Sequence, residues 1–140
     1  MEELAAALRG RSALRSLDLS GCDIRESGAA ALGSALAHMP LLEALRLSHC
    51  RIGSRGLEAL APALLCTPQL RALDVSRNGV NVSVSGKALD GSSAGLASLC
   101  GVLHLLPLLK DLDLRDNFVG HAGRTTLAAA AQKLRIRLLM

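Results

Sequence analysis

The residues of this 140-residue chain best suited to chemistry are four histidines, four cysteines and a group of acids near the carboxyl end. A histidine works as a base or a metal ligand only when a nucleophile, an orienting acid or further ligands stand beside it. His38, His49, His104 and His121 fall at different places within a repeating pattern, so they are not expected to converge. The chain holds no Ser/His/Asp or Cys/His arrangement, no glycine-rich phosphate loop and no paired-histidine metal motif. Cys22, Cys50, Cys66 and Cys100 lack CxxC or metal-ligand spacing and read as small, reduced core residues. Asp111, Asp113 and Asp116 resemble an acidic metal cluster. Asp113, however, stands where Asp18 and Asp74 stand in other copies of the pattern, so a structural role explains it first. Asn81-Val82-Ser83 matches a glycosylation acceptor that, without a secretory signal, is expected to stay unmodified. These residues predict no catalysis, no metal and no cofactor.

Composition narrows the class. Half the residues are hydrophobic, yet Phe118 is the sole aromatic. Aromatics fill irregular core space because each buries a large area. A core of almost pure Leu, Ala, Val and Ile therefore predicts thin, similar layers stacked on one another. The formal charge of +4 is mild, no Lys/Arg run exceeds two residues, and aromatic platforms for bases are missing, so no nucleic-acid partner is expected. Met1-Glu2-Glu3-Leu4 lacks the basic start of a secretory signal. Apolar stretches are far shorter than the roughly 20 residues that span a bilayer, so no membrane insertion is expected. The expectation is a single cytoplasmic, soluble domain.

Periodicity supplies the architecture. Leu14-Arg15-Ser16-Leu17-Asp18-Leu19-Ser20-Gly21-Cys22-Asp23-Ile24 recurs from Leu42 to Ile52, from Leu70 to Val80 and from Leu109 to Val119. The spacing is 28 residues, then 28, then 39, which is 11 more than the period. Gly28, Gly56, Gly95 and Gly123 recur as well, followed by leucines at i and i+4 such as Leu32/Leu36 and Leu60/Leu64. Such pairs share one helix face. Each unit therefore predicts a short strand, a turn and a helix of about ten residues. In L-x-L, alternate side chains enter the core. Cys22, Cys50, Asn78 and Asn117 stand where the chain leaves the strand, where a polar side chain can satisfy backbone groups that no ladder reaches. Small residues such as Ala29, Ala63 and Ala128 let neighbouring helices approach.

The pattern L-x-x-L-x-L-x-x-N/C-x-L resembles the ribonuclease-inhibitor-like class of leucine-rich repeats, shared with NOD-like receptors and Ran GTPase-activating proteins. The resemblance spans essentially the whole chain. It implies an α/β solenoid: a parallel-sheet arc with helices on the convex side and about four full repeats with partial ends. Residues 1–13 read as a half repeat; 14–41, 42–69, 70–108 and 109–136 as repeats; and 137–140 as a terminal remnant. At that end Arg135-Ile136-Arg137-Leu138 alternates in a slipped register and reads as a shortened closing strand.

Three surfaces are candidates for a protein partner. The 11 extra residues, about 81–91, form a Ser/Gly-rich insert bearing Asn81, Lys87 and Asp90. It is either a binding finger on a rigid scaffold or a tolerated insertion, since longer surface loops cost little. On the concave face, Asp18, Arg46, Asp74 and Asp113 form a central column beside Arg15, Glu43, Arg71 and Lys110. Strands about 4.8 Å apart put these mostly alternating signs within salt-bridge range. The exception is the carboxyl-terminal end, where Asp74, Asp111, Asp113 and Asp116 cluster with Arg77, Lys110 and Arg115, offering a dock for basic partner residues. The amino-terminal half repeat, with Leu4 and Leu8, is expected to be partly uncovered and open to a neighbouring subunit. The implied function is a non-catalytic protein–protein interaction module, structural or scaffolding in a larger intracellular assembly. The alternative is a regulatory repeat protein, either an enzyme inhibitor or a GTPase-activating or sensor module.

Overall fold

A computed structural model describes residues 6–8, 10–80 and 94–140. Leu4 and the insert residues Asn81, Lys87 and Asp90 lie outside the described residues. Five three-residue strands form one parallel sheet in chain order: β1 (Ser16–Asp18), β2 (Ala44–Arg46), β3 (Ala72–Asp74), β4 (Asp111–Asp113) and β5 (Arg137–Leu139). Helices α1 (Arg25–Leu36), α2 (Gly53–Ala63), α3 (Ala94–Leu103) and α4 (His121–Leu134) alternate with them, and a 3-10 turn at Leu64–Cys66 extends α2. This is the solenoid that the 28-residue period predicts.

Register follows from the leucines. Leu17, Leu45, Leu73, Leu112 and Leu138 lie side by side across the sheet, so their flanking residues all face the concave side. The step from Leu112 to Leu138 is 26 residues, two short of the period. The reason is local: Arg135 adopts a left-handed conformation (φ 57°) directly after α4, and its N–H returns to the Ala131 and Gln132 carbonyls. The chain thus enters β5 without the longer turn used in earlier coils. This is the slipped register expected at the carboxyl end.

The helices begin before the repeated glycines rather than after them, and two of those glycines serve packing. A Cβ on Gly56 would stand 2.7 Å from Cγ2 of Ile52 and 3.2 Å from Cβ of Ala29 on the preceding helix. A Cβ on Gly95 would collide with the Ser54 carbonyl. Glycine is the residue that lets adjacent helices close to this distance.

Between sheet and helices lies a continuous core of leucine, isoleucine, valine and alanine, in which Leu42, Leu45, Leu47, Ile52, Leu57 and Leu60 are wholly buried. Leu8 belongs to it at 7 % exposure, so this leucine is buried where its sequence position suggests it is partly uncovered. The polar members of the core are side chains of the turns. Asn78 Oδ1 accepts the N–H groups of Cys50 (2.9 Å) and Ile52 (3.3 Å) on the preceding coil. Its Nδ2 donates to the Leu47 (2.7 Å), Val75 and Ser76 carbonyls. Asn117 does the same one coil later, accepting from Asn78 and Val80 and donating to Val75 and Leu114. Cys50 fills this place in the second coil, its thiol donating to the Leu19 carbonyl at 3.1 Å.

Leu47→Ala is expected to cost about 2–5 kcal/mol and to lower the urea midpoint of the stack in a single transition, whereas Ser48→Ala changes it little; equal effects would place Leu47 outside the core. Asn78→Ala strands buried amides and carbonyls at about 1–3 kcal/mol each, so it should lower the midpoint at least as far. Asn78→Cys, which copies the second coil, should recover part of that loss.

Candidate functional site

The sheet lays three outward columns across the concave face. Ser16, Ala44, Ala72, Asp111 and Arg137 form one, and Asp18, Arg46, Asp74, Asp113 and Leu139 form the central one. Arg15, Glu43, Arg71 and Lys110 stand one residue upstream. A shallow hollow of about 230 Å³ opens over the carboxyl-terminal half, floored by Ala72 and bounded by Arg46, Asp74, Asp111, Asp113 and Arg137.

The outer column pairs as the alternation of sign predicts: Arg15 bonds Glu43, which also faces Arg71 at 3.8 Å. The central column does not pair sideways. Asp18, Asp74 and Asp113 each turn Oδ1 onto the N–H two residues further along, at Ser20 (3.0 Å), Ser76 (2.9 Å) and Arg115 (3.0 Å). Each such carboxylate closes the turn that ends its strand, an aspartate turn in the usual sense. Arg46, flanked in register by Asp18 and Asp74, makes no direct ion pair among the described residues, though its charge helps to hold the Asp18 carboxyl down.

Three of the four acids at this end have an arginine partner, and Asp74 is held only by the Ser76 N–H among the described residues. Asp111 accepts from Arg137 Nε at 2.5 Å. Asp113 accepts from Arg115 at 2.7 Å, and Asp116 from Arg77 at 2.9 Å. Asp74, Asp111 and Asp113 share the hollow, while Arg77, Arg115 and Asp116 stand in the exposed turns that follow the strands. Arg137 was absent from the sequence-derived set because its place in the sheet depends on the 26-residue last step. The signal was the alternation of Arg135-Ile136-Arg137-Leu138. The carboxyl-terminal half is thus an ion-paired surface rather than a bare acidic one, and each exposed pair contributes only about 0–1 kcal/mol.

The other chemically capable residues stay apart. The four histidines are exposed, in the turns after α1, β2 and α3 and at the start of α4. Among the described residues no group of three or more His, Cys, Asp or Glu could hold a metal ion. Of the cysteines, Cys50 is buried and Cys100 half-buried, but Cys22 and Cys66 are exposed, in contrast to the core role expected for all four. Phe118 is exposed on the rim, its N–H bonded to the Val80 carbonyl at 3.2 Å, beside the point where the insert leaves. Sequence reasoning treated it only as a rarity of composition.

Three carboxyls ionise below their ordinary range. Ser20, through its backbone and side chain, holds Asp18 down, and Arg25 does so for Asp23. Burial opposes the charge of Asp113, but the hydrogen bonds and charge of Arg115 outweigh it. A carboxyl depressed in the folded state contributes stability that is complete above its unfolded pKa and lost as the pH falls through the folded one. The urea midpoint is therefore expected to drop below about pH 4, and Asp113→Asn should shrink that drop. A midpoint that rises on acidification would contradict the assignment.

Comparison with known proteins agrees with this geometry. The family model described as Leucine Rich repeat matches residues 12–33 and 38–61. No curated protein matches the chain. Among solved structures, "Leiomodin-1 Actin-Binding Site 2 (ABS2)" is similar, with a TM-score of 0.72 and 15 % identity over 98 % of this chain and 76 % of that one. At that identity the likeness concerns the fold alone. No helix among the described residues is long and apolar enough to cross a membrane. Strand register, the polar side chains of the turns, the repeat match and the structural likeness agree: the chain folds as a leucine-rich-repeat solenoid, and its repeats indicate a protein-interaction module.

Proposed function

We propose that this module is non-catalytic and serves as a structural or scaffolding subunit of a larger cytoplasmic assembly. The observation that carries this reading is an apolar rim. Leu41, Leu65 and Leu105 are 41, 41 and 52 % exposed in successive turns that lead from a helix to the next strand. The segments around them, 37–42, 64–70 and 103–109, contain no charged residue apart from what His38 and His104 carry when protonated. They stand at different places in the unit, one, five and four residues before Leu42, Leu70 and Leu109, but all lie where a helix returns to the sheet. Exposed leucine gathered along one rim marks a surface that a neighbour covers. The ion-paired concave face supports the same reading, since its charges are largely satisfied within the chain. The scarcity of aromatics also fits a permanent subunit better than a free-standing high-affinity binder. The 28-residue period supports the ribonuclease-inhibitor-like class.

A regulatory role is the second reading, and Arg46 is what favours it. Its guanidinium stands on the concave face beside Asp18 and Asp74 and makes no direct ion pair among the described residues, which leaves its donors open to a partner's phosphate or carboxylate.

Affinity purification of the tagged chain separates the two readings. The scaffold reading expects a stoichiometric partner that survives about 0.5 M salt, where exposed charge pairs are largely screened. That partner should be lost in Leu65→Glu/Leu105→Glu but kept in Arg46→Ala and in a deletion of residues 81–91. A salt-labile partner lost in Arg46→Ala, or faster GTP hydrolysis by a small GTPase, would overturn it. The structural neighbour is an actin-binding site, which makes actin one concrete partner to include in the binding assay.

A further inference from the structure

Cys22 and Cys50 hold the same place on neighbouring coils, four residues past Asp18 and Arg46, which stand in register. The backbones stay bonded through this turn: Gly21 N–H donates to the Ser48 carbonyl at 2.8 Å and Arg25 N–H to the Cys50 carbonyl at 3.0 Å. Their Cα atoms are therefore separated by about one strand spacing, ~5 Å, inside the ~4.4–6.8 Å that a disulfide spans. The Cys50 thiol already points at the first coil, donating to the Leu19 carbonyl at 3.1 Å, with the Cys22 and Gly21 amides against its sulfur. Cys22 is exposed and Cys50 is buried. In the next two coils the place belongs to Asn78 and Asn117, so no other pair of neighbouring coils sets two thiols there.

We propose that Cys22 and Cys50 are an oxidant-responsive pair whose disulfide fastens the first coil to the second. Burial pushes the Cys50 thiol up, leaving exposed Cys22 to meet the oxidant first. With a hydroperoxide such as hydrogen peroxide, the Cys22 thiolate attacks one peroxide oxygen. The S–O bond forms as the O–O bond breaks, and the departing hydroxide takes a proton to become water. The Cys50 sulfur then attacks the sulfenic sulfur of Cys22. The S–S bond forms, the S–O bond breaks, and the second oxygen leaves as water carrying the Cys50 proton. Two thiols lose two electrons in total and the peroxide gains them. The new bond closes the loop from Cys22 to Cys50, so the first coil can no longer open independently of the stack.

The test uses the intact protein treated with dilute hydrogen peroxide, alkylated, and digested with trypsin without reduction. Cleavage at Arg15, Arg25, Arg46 and Arg51 leaves Cys22 in 16–25 and Cys50 in 47–51. The expected product is these two peptides joined, two hydrogens lighter than their sum and separated by dithiothreitol. Hydrogen exchange of the β1 amides should slow about tenfold in the oxidised protein. In Cys22→Ser, Cys50 should remain an unoxidised thiol at the same dose. Recovery of Cys22 as a sulfinic acid, or in a dimer through Cys66, with Cys50 still free would overturn the pairing. Unchanged β1 exchange in the joined protein would overturn the fastening.

Discussion

Asn78 and Asn117 hold the solenoid together at the point where each strand gives way to its turn. There the parallel ladder has ended and the helix has not begun, so several N–H and C=O groups would be buried without partners. In the third and fourth coils one amide side chain accepts from two N–H groups of the coil before it and donates to carbonyls on both coils, while in the second the Cys50 thiol reaches back to the Leu19 carbonyl. Leaving such groups unpaired costs more than the bonds themselves contribute, which makes this position the constraint on which coil-to-coil register depends. The leucines of the three-residue strands set which face turns inward, and the amides lock each coil to the one before it.

Once register is fixed, the remaining features follow from stacking. Identical layers demand small, interchangeable side chains, which explains a core without aromatics. Helices on the convex side must approach at the spacing of the coils, which explains glycine at Gly56 and Gly95. The aspartates that end β1, β3 and β4 are drawn into their own turns, and Arg46 is left without a direct hydrogen-bonded acid on the concave sheet, acting on Asp18 by charge alone. A structural demand on one residue thereby creates a chemical property in its neighbour.

The repeat, its 28-residue period and the leucine register were legible because each residue type recurs wherever the same layer recurs. The polar role of the turn position was legible for the same reason. The pairing of charges was not. Alternation of sign along the central column suggested lateral salt bridges, but a carboxylate two residues before an N–H has a nearer partner than the guanidinium on the next strand. Arg137 was hidden because a left-handed Arg135 shortens the last coil, and no periodic signal announces a change of period. The enclosure of Leu8 and the exposure of Cys22 depend on how the end layers close, which repetition does not encode.

The insert leaves the stack at Val80, whose N–H is held by Asn117, and the chain rejoins it by Gly95, whose N–H meets Ser54 Oγ at 3.3 Å. Both anchor points belong to the fixed lattice of the coils. Length and composition between them can therefore drift without moving a single layer, since lengthening a loop costs little beyond its closure. The third coil is thus the place where a longer or foreign segment costs the fold least to carry.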